Sequence, residues 1–222
     1  MKILGLDAAW GPKNPDGLCF LEKDTLLKTK LTQGAETLDA IEEFQPDLIA
    51  IDAPIVVPNA SGSRPIDRLI TSRFNVSHKI ACYPGNHQTC ARILDLVRQL
   101  APLGYFPSIA PAQPKGLIEV YPHLAIVRFF SLPERIPYKK GRVAEKRASF
   151  TVLQNQLRSY FADSPLEVPP AVTQLLKTPW TKGIEDQTDA ILCALVGYQF
   201  ACDPNTTELL GDLETGFIIA PR

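Results

Sequence analysis

The sequence has no surplus of basic residues, the feature that usually marks a nucleic-acid-binding protein. Its 23 Lys and Arg side chains are balanced by 24 Asp and Glu side chains, which leaves a formal net charge of -1. A general electrostatic attraction to a phosphate backbone is therefore excluded. If the protein binds nucleic acid, the contact must come from a local group of basic residues.

Cysteine is sparse and is not arranged in pairs. The five cysteines include no C-x-x-C spacing, so the sequence predicts neither a zinc knuckle nor a framework of disulfides. Reduced thiols of this kind are typical of the cytosol, and we therefore expect a cytoplasmic protein.

Long hydrophobic segments are also absent. The longest apolar run, from Ile191 to Ala201, is too short to span a bilayer and includes Tyr198 and Gln199. Near the N-terminus, Asp7 interrupts the apolar residues too early for a signal peptide. We therefore expect no membrane partner. Hydrophobic residues still make up 45% of the 222 residues, which is enough for the core of one large domain.

Two short apolar strands that each end in an aspartate form the most informative pattern in the chain. The segment Lys2-Ile-Leu-Gly-Leu-Asp7-Ala-Ala-Trp10 has almost no polar alternation, as expected for a strand covered on both faces. The segment Asp47-Leu-Ile-Ala-Ile-Asp52-Ala-Pro54 repeats the arrangement. Ligands of open α/β sheets bind beyond the carboxyl ends of parallel strands. If the two strands are neighbours, Asp7 and Asp52 face each other there and repel unless a proton or a metal ion intervenes.

The remaining periodicity predicts a single α/β domain over residues 1–222. Strands are predicted at residues 2–7, 18–22, 26–32, 48–51 and 117–122, with two short ones at 208–210 and 217–220. Helices are predicted at residues 36–44, 66–74, 90–100, 123–130, 144–161, 169–177 and 185–202. This order gives a mixed sheet that begins with antiparallel strands and continues with parallel ones. We interpret residues 54 to about 115, which are rich in proline and glycine, as a partly helical insertion that caps the sheet.

A set of acidic residues falls at the ends of these elements or inside them. Its members are Asp7, Asp52, Glu119, Asp186 and Asp189. An oxygen-rich set without histidine suits Mg²⁺ or Mn²⁺. Two such ions about 4 Å apart activate water and stabilise the leaving oxygen in phosphodiester cleavage. We therefore expect Asp7, Asp52, Glu119 and Asp189 to hold metal and to act in catalysis, with Asp186 as a further ligand or as a residue that supports one.

Ordinary structural roles compete with this interpretation for each residue taken alone. Asp186, in the first turn of a helix, also suits the capping of amide groups, and Asp52 before Ala-Pro suits a turn. Glu119 is harder to explain as structure, since an unpaired buried carboxylate in an apolar strand is costly. The prediction therefore rests on the set and not on any single member.

Several short motifs, spread over almost the whole chain, give it a resemblance to a known family. They are Gly5-Leu-Asp7-Ala-Ala-Trp10, Ala50-Ile-Asp52-Ala-Pro54, Gly62-Ser-Arg64-Pro-Ile-Asp67, Glu119-Val-Tyr-Pro122, Tyr138-Lys139, Asp186-Gln-Thr-Asp189-Ala190 and Gly211-Asp212-Leu-Glu-Thr-Gly216. With the predicted order of strands and helices, they resemble the predicted ribonuclease H-like nucleases, also catalogued as domain of unknown function 429. The resemblance implies a ribonuclease H-like fold and metal-dependent nuclease chemistry on nucleic acid.

Basic residues near these motifs are candidate substrate contacts. Arg64 could bind phosphate, or it could pair with a neighbouring acid such as Asp67. The only dense group of basic residues, here called the basic cluster, consists of Lys139, Lys140, Arg142, Lys146 and Arg147. It could follow a nucleic-acid backbone, although a surface turn that leads into a helix has a similar composition. We expect Lys139 to contact phosphate. Trp10 could stack on a base, although it could equally anchor its loop.

Two other function classes fit parts of the sequence. Actin- and sugar-kinase-like enzymes share the predicted sheet order, but they need a glycine-rich phosphate turn after the first strand, and here glycine returns only at Gly11. A non-catalytic protein, or one that binds a small phosphorylated metabolite, would keep the carboxylates for structure or for one metal ion. A response to Mg²⁺ or Mn²⁺ separates the nuclease from a protein without a metal site.

Overall fold

A mixed six-stranded sheet forms the centre of the molecule, in a computed structural model that describes residues 1–111 and 113–222. Its strands are β1 (Lys2–Asp7), β2 (Asp16–Glu22), β3 (Thr25–Thr32), β4 (Leu48–Ile51), β5 (Phe106–Pro107) and β6 (Gly116–Glu119). Their order across the sheet is β3-β2-β1-β4-β6-β5. The pairs β3/β2 and β2/β1 are antiparallel, whereas β1/β4, β4/β6 and β6/β5 are parallel. The predicted mixed sheet is therefore confirmed.

Within the described residues, seven α-helices flank this sheet. They are α1 (Ala35–Phe44), α2 (Pro65–His78), α3 (Ala91–Leu100), α4 (Pro122–Phe129), α5 (Val143–Asp163), α6 (Pro170–Leu175) and α7 (Lys182–Cys202). A hairpin of β7 (Thr207–Asp212) and β8 (Gly216–Pro221) follows them and forms a separate two-stranded sheet. No helix within residues 1–111 and 113–222 combines the length and the apolar character needed to cross a membrane. The five cysteines are free thiols.

Helix α7 packs directly on β1 and β2. This packing fixes the distance between the N-terminal half of α7 and the two strands. A Cβ atom at Gly5 in β1 would lie 2.0 Å from the carbonyl oxygen of Ala190. One at Gly17 in β2 would lie 2.2 Å from the carbonyl oxygen of Asp186. Only glycine permits so close an approach of a helix backbone to a strand. These contacts hold the N-terminal half of α7 against the ends of β1 and β2.

The region predicted as a capping insertion contributes to the sheet as well as to its cover. Strand β5 pairs with the beginning of β6 and adds an edge to the main sheet. Sequence periodicity did not predict β5, because a pair of residues shows no alternation. Helix α3 buries Ile93 and Leu100 in the main core, whereas α2 packs in a second apolar cluster with α4 and the β7/β8 hairpin.

Candidate metal centre

Three carboxylates, here called the carboxylate triad, converge at the carboxyl edge of the parallel strands. Asp7 is the last residue of β1, Asp52 follows β4 directly, and Asp189 lies on α7. Each offers one oxygen, and these oxygens all lie within 4.8 Å of one another. The amide of Asp52 donates to the carbonyl of Leu6 at 2.8 Å, so the pairing of β1 and β4 continues up to the triad. The prediction that Asp7 and Asp52 lie together on adjacent parallel strands is confirmed.

The electrostatics of the triad favour an added proton or cation. Burial raises the pKa of Asp7 well above its usual range, and the charges of Asp189 and Asp52 raise it further, against the opposing effect of Lys139. Burial also raises the pKa of Asp52 and brings that of Asp189 to about 6. Asp189 is buried and Asp7 and Asp52 are half-buried, and like charges in so small a space disfavour the ionised forms. A cation among the three carboxylates would favour their ionised forms instead.

Lys139 supplies such a cation in this structure. Its Nζ lies 2.7 Å from Oδ2 of Asp189 and 3.4 Å from Oδ2 of Asp52. Burial disfavours the charged ammonium, but Asp189 and its neighbours raise the pKa of Lys139 well above its usual value, so the side chain stays protonated. The hydroxyl of Tyr138, which is buried, donates to Oδ1 of Asp189 at 2.6 Å. The phosphate contact predicted for Lys139 remains a prediction, since its ammonium here faces the triad.

Asp186 lies beside the triad and forms an ion pair with a different lysine, Lys182. Its Oδ1 lies 2.5 Å from Nζ of Lys182, which also contacts Glu185 at 2.8 Å. Asp186 is buried, and its charge contributes to the raised pKa values of Asp7 and Asp52. The side chain of Lys182 is 64% exposed, and its ammonium contacts the carboxylates of both Asp186 and Glu185. The role predicted for Asp186, as a further ligand or as a residue that supports one, stays a prediction.

Glu119 and Arg64 are not brought to the triad. This differs from the role of metal ligand predicted for Glu119, whereas for Arg64 the structure shows the predicted alternative to a phosphate contact, an ion pair with Asp67. The Arg64 guanidinium donates to both carboxylate oxygens of Glu119, at 2.6 and 2.7 Å, and to Asp67 at 2.8 Å. Glu119 also accepts from the amide of Ile55 at 3.1 Å. Burial raises the pKa of Glu119 to about 7, against the lowering effect of Arg64. The unexplained carboxylate of β6 is thus the partner of a buried arginine.

The buried pairs of Arg64 hold the segment between β4 and α2 in place. Arg64 Nη1 donates to the carbonyl of Val56 at 3.1 Å. Asp67 accepts from the backbone amides of Arg64 at 3.0 Å and Gly85 at 2.9 Å. Since these charges are buried and mutually satisfied, they cost less than separated ones would. Arg64 is 1% exposed, so its guanidinium does not reach a substrate at the surface.

Asp16 is an important residue that the sequence analysis did not identify. It is fully buried at the start of β2 and fixes the loop that follows Asp7. Its Oδ1 accepts from the amide of Ala9 at 2.8 Å, and its Oδ2 accepts from Thr37 at 2.7 Å and from Arg92 at 2.6 Å. In the sequence it follows Asn-Pro and precedes Gly17, which is the composition of an ordinary turn. Its role arises from partners distant in sequence.

The other members of the basic cluster lie outside the triad. Lys140, Arg142 and Arg147 are exposed, and Lys146 is half-buried with its ammonium 5.3 Å from the ring centre of Trp180. They occupy the turn after Lys139 and the first turns of α5. Positive charge thus extends from the triad along the surface.

Comparison with known proteins gives a family but no characterised relative. The family model described as "Protein of unknown function (DUF429)" matches residues 5–212. No curated protein and no solved structure matches the chain.

Proposed function

This chain belongs to the DUF429 family of proteins of unknown function, and we propose that it is a divalent-metal-dependent hydrolase that cleaves phosphodiester bonds in nucleic acid. The observation that carries the proposal is the carboxylate triad, whose oxygens lie within 4.8 Å of one another at the carboxyl edge of the sheet. Ligand sites of open α/β sheets are found at this edge. The antiparallel β3-β2-β1 unit, followed by the parallel strands β4 and β6, supports a ribonuclease H-like fold as part of the same proposal.

The donors of the triad fit a hard divalent cation. All three ligands are carboxylate oxygens, which Mg²⁺ and Mn²⁺ prefer to nitrogen or sulfur ligands. Oδ2 of Asp189 is buried and has no aligned hydrogen-bond donor, although the Lys139 ammonium is nearby. Asp7, Asp52 and Asp189 would therefore hold the metal, with Asp186 in support. When bound, the ion supplies Lewis-acid stabilisation of charge on phosphate oxygens and lowers the pKa of coordinated water.

Lys139 has a second role in this proposal, as a phosphate contact. Its ammonium contacts the same carboxylates that would hold a metal ion, so a bound metal would displace it from Asp189 and Asp52. The side chain is 30% exposed, which gives it access to substrate at the mouth of the site. A phosphodiester group beside the triad would then accept hydrogen bonds from Lys139.

The remaining basic cluster supports nucleic acid as the substrate class. Because the chain has a net charge of -1, the backbone contact must be local, and the exposed Lys140, Arg142 and Arg147 continue from Lys139 along the surface. Each phosphate that they neutralise releases counterions and so favours binding. A small phosphorylated metabolite would need only the contact nearest the triad.

A cleavage assay tests the proposal. Labelled single-stranded, duplex and branched oligonucleotides are incubated with the protein in Mg²⁺ or Mn²⁺. We expect cleavage by the wild type, and a loss of at least about 100-fold in Asp7→Asn and Asp189→Asn, since each removes a charged ligand. Asp39→Asn, which changes an exposed carboxylate on α1, is the matched control and should cleave normally. The proposal is wrong if no substrate is cleaved in either metal, or if the ligand variants cleave as well as the control.

The position of Lys139 favours one alternative, a non-catalytic protein. An ammonium 2.7 Å from Asp189 already neutralises part of the charge of the triad, so the cluster could be structural. Thermal melting separates the two functions, because a ligand that binds only the folded state raises its stability. A melting temperature that does not change in millimolar Mg²⁺ or Mn²⁺ favours the alternative.

A further inference from the structure

We propose that Trp10 and Tyr83 form a stacking site for an unpaired nucleobase beside the carboxylate triad, an inference that rests on the nuclease function proposed above. The two rings, here called the aromatic corner, lie with their centres 5.6 Å apart and their planes at 80°. Trp10 is 39% exposed and Tyr83 is 70% exposed. Single exposed aromatic residues are ordinary, but here two of them meet from segments that are distant in sequence.

The aromatic corner lies at the same edge of the sheet as the triad. Trp10 is the third residue after Asp7, so their Cα atoms are at most about 11 Å apart. The segment that carries Tyr83 is held by a second contact: the carbonyl of Ala81 accepts a hydrogen bond from the Tyr121 hydroxyl at 3.0 Å. The ring of Tyr121 contacts His123, and that of His123 contacts Tyr138, which donates to Asp189. Both segments that supply the corner are therefore tied to the metal centre.

Polar contacts hold the backbone of both segments, so the two rings are carried by anchored loops and not by frayed ones. The amide of Ala9 donates to Asp16 at 2.8 Å, and its carbonyl accepts from Arg92 at 2.5 Å. These bonds hold the residue that precedes Trp10. Tyr83 lies between the amides of Cys82 and Gly85, which donate to Thr71 at 3.1 Å and to Asp67 at 2.9 Å. A preorganised surface binds more tightly, because little freedom is lost on binding.

The geometry suits a flat aromatic ligand. With the rings nearly perpendicular, a base that stacks on the face of one ring meets the other ring at its edge, an arrangement that aromatic groups favour. A base inside a duplex has no free face, so the ligand must be unpaired. Stacking is tolerant of sequence, since every base has a π face. The aromatic corner would thus hold a base of single-stranded or locally open DNA or RNA while the backbone passes the triad.

The inference is tested by comparing the binding of single-stranded oligomers with that of an abasic oligomer of the same length. The wild type is titrated in Ca²⁺, which slows cleavage, with single-stranded DNA and RNA oligomers of mixed sequence and with an abasic phosphodiester of the same length. We expect Trp10→Ala and Tyr83→Ala each to weaken binding to the base-containing oligomers by about tenfold, with no change for the abasic one. Trp10→Phe should keep most of the affinity. Binding should also quench a part of the tryptophan fluorescence that is missing in Trp10→Phe.

Phe106→Ala is the matched control. Phe106 is 52% exposed, but it pairs with Gly116 at the opposite end of β6 from the triad, so its removal should leave all affinities unchanged. The inference is overturned if the wild type binds the abasic oligomer as tightly as the others, or if Trp10→Ala and Tyr83→Ala behave like the control. In that case, metal-dependent cleavage that Asp7→Asn abolishes would leave the nuclease proposal intact. Base-dependent binding without cleavage would support the aromatic corner and contradict the nuclease.

Discussion

The Nζ atom of Lys139 lies 2.7 Å from Oδ2 of Asp189, at the place where a metal ligand would face its ion. The two residues come from separate parts of the fold, the turn before α5 and the second turn of α7. Their contact neutralises part of the charge of the triad. Under the proposed function, a metal ion that takes the place of this contact would release the Lys139 ammonium towards the substrate.

Removing the Lys139 charge should strengthen metal binding and weaken the metal-free fold. Two unit positive charges about 4 Å apart repel each other by about 4 kcal/mol at an effective dielectric constant of 20, and the charge of Mn²⁺ is twice as large. Because Lys139 is partly exposed, we expect Lys139→Met to raise Mn²⁺ affinity by roughly tenfold or more. Without metal, its free energy of unfolding should fall by roughly 1–3 kcal/mol, since buried carboxylates lose their partner. Calorimetric titration and chemical denaturation measure both effects.

Lys140→Met is the control for this prediction, because Lys140 is exposed next to Lys139. It removes the same charge without a contact to the triad. Equal Mn²⁺ affinities in the two variants would show that Lys139 does not compete with the metal.

Glu119 and Arg64 should matter for stability and not for metal affinity. Both side chains are buried, with 1% of Arg64 and 3% of Glu119 exposed. Removing one partner leaves a buried charge, so Arg64→Met should lower the free energy of unfolding by about 3–5 kcal/mol. Glu119→Gln should be less stable too, yet bind Mn²⁺ as the wild type does. A folded Glu119→Gln protein with much weaker Mn²⁺ binding would restore Glu119 as a metal ligand.

Metal binding should strengthen as pH rises through about 6. Asp189 has its pKa raised by burial from 3.8 to about 6, and the pKa values of Asp7 and Asp52 are also raised. A carboxyl with a higher pKa in the folded state favours folding at low pH. The stability of the metal-free protein should therefore decline as pH rises from about 4 to about 6, while Mn²⁺ affinity increases as the protons leave. Constant Mn²⁺ affinity between about pH 5 and about pH 7 would contradict this assignment.

The close packing of α7 on β1 should leave no room for a side chain at Gly5. In Gly5→Ala the new Cβ would lie 2.0 Å from a backbone oxygen of the helix, so α7 would have to move. We expect a loss of about 1–3 kcal/mol or more of stability, together with weaker Mn²⁺ binding, because Asp189 moves with the helix. Gly11→Ala is the control, since its nearest neighbour would be a side-chain nitrogen at 3.7 Å. Thermal unfolding of the two variants should differ clearly, and similar melting temperatures would contradict this account of the packing.

Local patterns in the sequence predict much of the fold and two members of the triad directly. The apolar runs before Asp7 and Asp52 mark strands that end in carboxylates, and the continuous apolar face of α7 places Asp189 in a buried helix. Parallel pairing then brings the strand ends together. The mixed sheet is predictable for the same reason, because short turns and a crossover helix fix the strand directions.

Contacts between distant residues are not predictable in this way. The partner of Glu119 is Arg64, 55 positions away and buried with it, and no periodicity encodes that pairing. The approach of Lys139 to Asp189 depends on where the turn before α5 lies over the sheet. Asp16 resembles a turn residue until Ala9, Thr37 and Arg92 are seen around it. The fold thus divides the acidic residues predicted as one set: Asp7, Asp52 and Asp189 form the triad, Glu119 pairs with Arg64, and Asp186 pairs with Lys182.

A crystal structure of the protein with Mn²⁺ tests the central claim most directly, because anomalous scattering locates the ion. We predict a peak among the carboxylates of Asp7, Asp52 and Asp189, at the short distances expected of oxygen ligands, with the ammonium of Lys139 withdrawn from Asp189. Wild-type crystals with millimolar Mn²⁺ that show no peak there, and Lys139 still in contact with Asp189, would contradict the claim that the carboxylate triad is a metal centre.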